Sequence, residues 1–69
     1  MKFSPEKLEI LIARNQLTIA ELGRKADVPT ITVSQALRGT RNPTLRTIGK
    51  IAHGLGVDVT ELIEQGGAA

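Results

Sequence analysis

Pro29 restricts the fold of this chain more than any other residue. It lacks an amide hydrogen and disfavours helical geometry in the residue before it, so no regular helix runs unbroken through Val28-Pro29. Yet the sequence has helical periodicity on both sides. Before the break, Leu22 and Ala26 fall four apart, Ile19 lies at the edge of their face, and Thr18 stands where a cap is needed. After it, Val33 and Leu37 lie one turn apart, and Gly39 can take the left-handed conformation that commonly ends a helix. Thr18 to Gly39 therefore reads as a helix, a sharp corner and a second helix. Off the apolar seam of the second helix lie Thr30, Ile31, Ser34, Gln35 and Arg38, mostly short polar groups with a cation at the end.

The flanking segments follow the same logic. Ser4-Pro5-Glu6 is a helix start, with a capping hydroxyl, a proline suited to the first turn and an acid near the positive end of the macrodipole. Leu8, Leu11 and Ile12 give an inward stripe, Asn15 and Gln16 end the helix, and Ile10 lies off the stripe and is expected to be partly exposed. Beyond the loop Thr40-Arg41-Asn42-Pro43, Thr44 caps a fourth helix with Leu45, Ile48, Ile51, Ala52 and Leu55 inward. Gly56 stops it, and Val57 packs back. Asp58-Val59-Thr60-Glu61 resembles a capping box that starts a short fifth helix through Leu62 and Ile63. The expectation is an all-α, compact five-helix domain over residues 1–65, with residues 66–69 as a frayed C-terminal tail.

Composition narrows the function. Sixty-nine residues make one small domain with a thin aliphatic core. With no Cys, disulfides and cysteine metal sites are excluded. A single His, and no carboxylate pair or ligand cluster at recognisable spacing, argue against an enzyme and against any metal or cofactor. No apolar run approaches the ~20 residues needed to span a bilayer, and Met-Lys-Phe-Ser-Pro is too short for a signal peptide, so a soluble cytoplasmic protein is expected. The net charge of +2 says little by itself. Its distribution says more: Asp27 and Asp58 are consecutive acids, and between them lie Arg38, Arg41, Arg46, Lys50 and His53. A one-sign segment directly after an exposed polar helix suits phosphate binding. For Arg46 and Lys50 ordinary solvated charge is the simpler reading, and His53 is assigned no chemistry.

Thr18, Leu22, Ala26, Val28, Thr32, Val33, Ser34 and Gly39, with Arg41-Asn42-Pro43-Thr44-Leu45 and Leu55-Gly56-Val57 downstream, give the chain a strong resemblance to the Cro and phage-repressor (XRE, lambda-repressor-like) family of helix-turn-helix DNA-binding domains. The match covers most of the chain. Thr32 to Gly39 is also similar to the Lac-repressor headpiece. Both resemblances imply that the helix beginning at Thr30, third in the chain, enters a DNA major groove by its N-terminal end. They imply a small prokaryotic or phage-type transcriptional regulator, a repressor, binding a (pseudo)palindromic double-stranded operator as a homodimer in the cytoplasm, on the nucleoid. Pairing is expected through Val57 to Ile63 and the loop after Gly39. Base reading then falls to Thr30, Ile31, Ser34 and Gln35. Gln35 is the best candidate for adenine, and Ile31 for thymine methyls. Phosphate binding falls to Thr18, Ile19, Thr32, Arg38, Arg41 and Thr44, Ile19 acting through a backbone amide at its helix start.

Three departures from the family's pattern have physical consequences. Where the family often has an Arg in helix 1 and a Glu late in helix 3, this chain has Ile12 and Leu37, an apolar replacement for an ion pair and an expected packing contact. Asp27 stands where a turn glycine is usual, and Asp tolerates left-handed backbone better than most residues. Ile19 replaces a DNA-contacting Gln. Two other readings stand beside the main one: a small antitoxin or protein-interaction module, and a Lac-type headpiece-like DNA binder. They differ in whether the basic segment, Ile31 and Gln35 form one surface, and in the helix before Thr18.

Overall fold

The computed structural model describes residues Lys2 to Glu64. In chain order they form β1 (Lys2–Phe3), α1 (Pro5–Arg14), α2 (Ile19–Ala26), α3 (Thr30–Arg38), α4 (Leu45–Leu55), a single 3-10 turn at Val59–Glu61 and β2 (Ile63–Glu64). The helix ends follow local chemistry. Ser4 Oγ accepts from the Lys7 amide at the start of α1, and Thr44 Oγ1 from the Thr47 amide at the start of α4. At α2 the cap is reciprocal: Thr18 Oγ1 accepts from the Glu21 amide at 3.0 Å, while the Thr18 amide donates to Glu21 Oε1 at 2.8 Å. Thr-x-x-Glu is legible in the sequence. Asp27, Gly39 and Gly56 end α2, α3 and α4 in the left-handed region, Asp27 at φ 58°.

α2 packs against both α4 and α3, and α1 closes over α3. Leu8, Leu11, Leu22, Val33, Ile48, Ile51 and Leu55 form the buried centre, and Ile12 and Leu37, both half-buried, pack against its edge from α1 and α3. Ala36 is buried beside Val33, so the seam of α3 is narrower and more alanine-like than its periodicity suggested. Small residues let the helices approach. A Cβ at Gly54 would lie 2.9 Å from the Ala26 amide nitrogen and Cα, and one at Gly23 would lie 2.9 Å from the Val28 carbonyl oxygen. Gly23 thus fixes how tightly the corner folds back on α2.

Four expectations are corrected. There are four α-helices among the described residues, and the expected fifth is a 3-10 turn. Asp58 Oδ1 accepts from both the amide and the hydroxyl of Thr60 at 2.9 Å, a tight local turn in place of a reciprocal box with Glu61. Leu62 then enters the core and Ile63 becomes extended, pairing with Phe3 in an antiparallel ladder. The Ser4 amide donates to the Leu62 carbonyl at 2.8 Å and Lys7 Nζ to the Ile63 carbonyl at 2.9 Å, so Leu62 and Ile63 are stapled to the segment that starts α1. Burial of Leu62 and Ile63 also removes them from the expected pairing surface. Leu45, expected inward, is 69% exposed, because it occupies the first position of α4, beyond the reach of the core that Ile48 enters one turn later. The expected tail, residues 66–69, lies outside the described residues.

Candidate nucleic-acid interface

Three residues of the apolar-poor side of α3 follow from its helical geometry. Val33 and Ala36 point inward, so Ile31, Ser34 and Gln35 lie on the remaining arc, and Thr30, one turn before Val33, is exposed because it starts the helix. Thr30 and Ile31 are exposed, Ile31 at 63%, and Ser34 and Gln35 are half-buried. Pro29 supplies no side-chain cap. The Thr32 and Val33 amides are satisfied by the Pro29 carbonyl, leaving those of Thr30 and Ile31 without intrahelical acceptors at the exposed end. The leading edge of α3 therefore offers two hydroxyls, one amide side chain, one apolar side chain and a helix N-terminus.

The loop after α3 is fixed to that helix rather than hanging from it. The Thr40 amide donates to the Gln35 carbonyl at 3.2 Å and its hydroxyl to the same oxygen at 3.3 Å. Arg41 follows directly, so the end of α3 sets its position. Thr32 and Gln35 of α3, Arg41, Asn42 and Pro43 of the loop, and Thr44 and Thr47 of α4 line one open concavity of about 230 Å3. Thr44 Oγ1 accepts from the Thr47 amide and its hydroxyl lies 3.1 Å from that of Thr47, while the Ile48 amide is taken by the Thr44 carbonyl. The Leu45 and Arg46 amides are left without intrahelical acceptors. A guanidinium and hydroxyls around one concavity, at the start of α4, suit an anionic oxygen ligand far better than an apolar one. Asn42, Pro43 and Thr47 were missed as site residues; Thr44-x-x-Thr47 is a spacing that puts both hydroxyls over one helix end.

Thr18 is exposed at the start of α2, where its oxygen accepts from the Glu21 amide. Ile19 is half-buried against the core, leaving its backbone amide as its polar contribution. The Thr18 hydrogen bonds, its backbone amide first, hold the Glu21 carboxyl below the ordinary glutamate range. Glu21 therefore stays ionised and committed to the cap. Arg38 is exposed at the last turn of α3. Thr32, Gln35, Arg41 and Thr44 are thus brought together in one place, Thr30, Ile31 and Ser34 share the helix edge, and Thr18 and Ile19 lie at the start of the helix before it. Gln35 belongs to both the edge and the concavity, joining the uncharged residues to the basic loop in one surface. Among the described residues no group of three or more His, Asp or Glu is arranged to hold a metal, and no helix is long and apolar enough to cross a membrane.

The model of the family described as Helix-turn-helix matches residues 8–62. No curated protein matches the chain. Among solved structures, the chain is similar to the restriction-modification controller protein C.AhdI from Aeromonas hydrophila, with 27% identity over 86% of this chain and 89% of that one and a TM-score of 0.82.

Proposed function

The chain belongs to the helix-turn-helix family and is by that membership a sequence-specific DNA-binding regulator of transcription, and from that premise we propose that α3 is the helix it inserts into the major groove. Thr30, Ile31, Ser34 and Gln35 read bases, Gln35 through bidentate hydrogen bonding to adenine and Ile31 through thymine methyls. Arg38, Arg41, Thr32 and Thr44 grip phosphates on one side of the helix, and Thr18 with the Ile19 amide does so at the start of α2. The observation that carries this reading is the concavity shared by Gln35, Arg41 and Thr44. It holds a base-reading side chain and a phosphate-binding cation in fixed relation, as register on a duplex requires.

The chain acts as a repressor, in pairs, on a (pseudo)palindromic operator in the cytoplasm. Likeness to a restriction-modification controller protein supports a regulatory role. Selection of bound duplexes from a random pool at fixed salt tests the whole reading. The expected product is two inverted half-sites about 34–36 Å apart centre to centre. Recovery of sequences with no shared half-site would refute it.

A further inference from the structure

The two short strands differ at their outer edges. In an antiparallel pair, residues that exchange hydrogen bonds with the partner strand alternate with residues whose amide and carbonyl point away from it. The Ser4 amide donates to the Leu62 carbonyl, so Phe3 and Ile63 are the outward-bonding residues of this ladder. On the β2 side the Ile63 carbonyl accepts from Lys7 Nζ, which closes that edge. On the β1 side neither the amide nor the carbonyl of Phe3 has a hydrogen-bond partner among the described residues. Yet Phe3 is buried, and buried main-chain groups are paired in the great majority of cases. Phe3 also lines a depression of about 200 Å3 with Lys2, Asn42, Pro43, Leu45 and Ile48. No residue of β2 borders it, which places it beside the open edge of β1. Leu45 presents an exposed apolar side chain there, and Lys2 and Arg46, both exposed, make the surroundings positive. No acid lines the depression, and Glu64 lies across the ladder from Lys2.

We propose that the outer edge of β1 is a docking strip for an extended segment of another protein, added antiparallel as a third strand, with an apolar residue opposite Phe3 and an acid opposite Lys2. One residue of the guest exchanges both hydrogen bonds with Phe3. Directly opposite residues share a face of the sheet, so its side chain follows that of Phe3 toward the protein, where Leu45 covers it. The next residue follows Lys2 outward, and a carboxylate there meets the ammonium group. An apolar residue followed by an acid is therefore the pattern this edge selects. Nucleic acid suits the edge less well, because a phosphate accepts from the Phe3 amide but offers no donor to its carbonyl. A second copy would bring its own Lys2 and Arg46 against the same positive surroundings. The docking strip lies outside the reading edge of α3, so it stands or falls independently of how DNA is read.

Titration of the isotope-labelled full chain with the capped peptide Thr-Ser-Val-Asp-Ser-Thr, followed by heteronuclear NMR, reads the strip directly. The Phe3 and Leu45 amides should shift together and saturate with a Kd on the order of 1 mM, as suits one hydrogen-bonded pair and one apolar contact. Methylating the valine nitrogen removes the donor that the Phe3 carbonyl needs and leaves the protein unchanged. It should weaken binding about tenfold or more. Lysine in place of the aspartate should weaken binding about threefold or more. Leu45→Ser, at a side chain already in water, should weaken it about fivefold or more. Shifts at neither amide up to roughly 10 mM peptide, or a methylated peptide that binds as well as its parent, would overturn the proposal. So would shifts produced at these amides by a duplex half-site, or by concentrating the chain alone, and by no peptide. The first result would give the depression to DNA, the second to another copy.

Discussion

Gly49 and Gly54 lie in the same helix and make a matched experiment. In α4 replacement of glycine by alanine removes backbone entropy from the unfolded chain, a gain of about 0.5–1 kcal/mol at an unobstructed interior site. Gly49 is such a site: a Cβ there would meet nothing within 4 Å. Gly54 is not. Its Cβ would stand 2.9 Å from the Ala26 Cα and amide nitrogen and 3.0 Å from Ala26 Cβ, and the first two are backbone that cannot rotate away. Relief requires α2 and α4 to separate by several tenths of an ångström, and overpacking of that kind costs about 1–3 kcal/mol. Gly49→Ala should therefore stabilise by about 0.5–1 kcal/mol and Gly54→Ala destabilise by about 1–2 kcal/mol net. At about 4–8 °C per kcal/mol for a domain of this size, the melting temperatures move in opposite directions, up by roughly 2–8 °C and down by roughly 4–16 °C. Thermal unfolding followed by far-UV circular dichroism reads both. Ala26 is the last residue of α2 before the corner, so displacing it also shifts α3, and Gly54→Ala should weaken operator binding more than Gly49→Ala does. If both variants gain stability equally, the close approach of α2 and α4 is not what orders the corner.

Replacing Arg41 by alanine should weaken binding to every duplex alike and reduce the slope of log K against log salt by about 0.9, the share of one phosphate; an unchanged slope would remove Arg41 from the interface. Gln35→Ala should instead cost about 1–3 kcal/mol at one base pair with little loss elsewhere, measured by titrating single-position operator variants. Glu21 makes a prediction about acid. Its folded carboxyl titrates below its ordinary value because Thr18 donates to the ionised form, so its stabilising contribution is present above the unfolded pKa and is lost as pH falls through the lowered folded one. Glu21→Gln keeps a hydrogen-bond acceptor but cannot titrate, and should flatten that part of the stability curve. Asp58, lowered by the Thr60 amide and hydroxyl, has the same sign and leaves the flattening partial; identical acid profiles for variant and wild type would contradict the cap's role.

Signals acting within a few residues were readable directly. Thr18, Pro29, Gly39, Thr44 and Gly56 each mark a helix boundary, and each does so through its own hydroxyl, ring or backbone freedom. Asp27 took the left-handed corner in place of the usual glycine. The edge of α3 was legible for the same reason, since a buried Val33 forces its neighbours along the helix outward. What the sequence hid in the candidate site was the fold of the loop onto α3. The bonds from Thr40 to the Gln35 carbonyl, and the inclusion of Asn42, Pro43 and Thr47 around the concavity, depend on the relative placement of α3 and α4.

The sequence by itself determined four helices, their ends, the corner at Asp27-Val28-Pro29 and the kind of surface α3 presents, because periodicity, capping and proline stereochemistry need no distant partner. Only the tertiary structure decided the fate of Leu62 and Ile63, the exposure of Leu45 and the contact of Gly54 with Ala26. An apolar residue after a capping signal satisfies a helix and a strand equally well. The choice fell to Phe3, some sixty positions away in the chain, with which Ile63 pairs in extended form, both side chains buried.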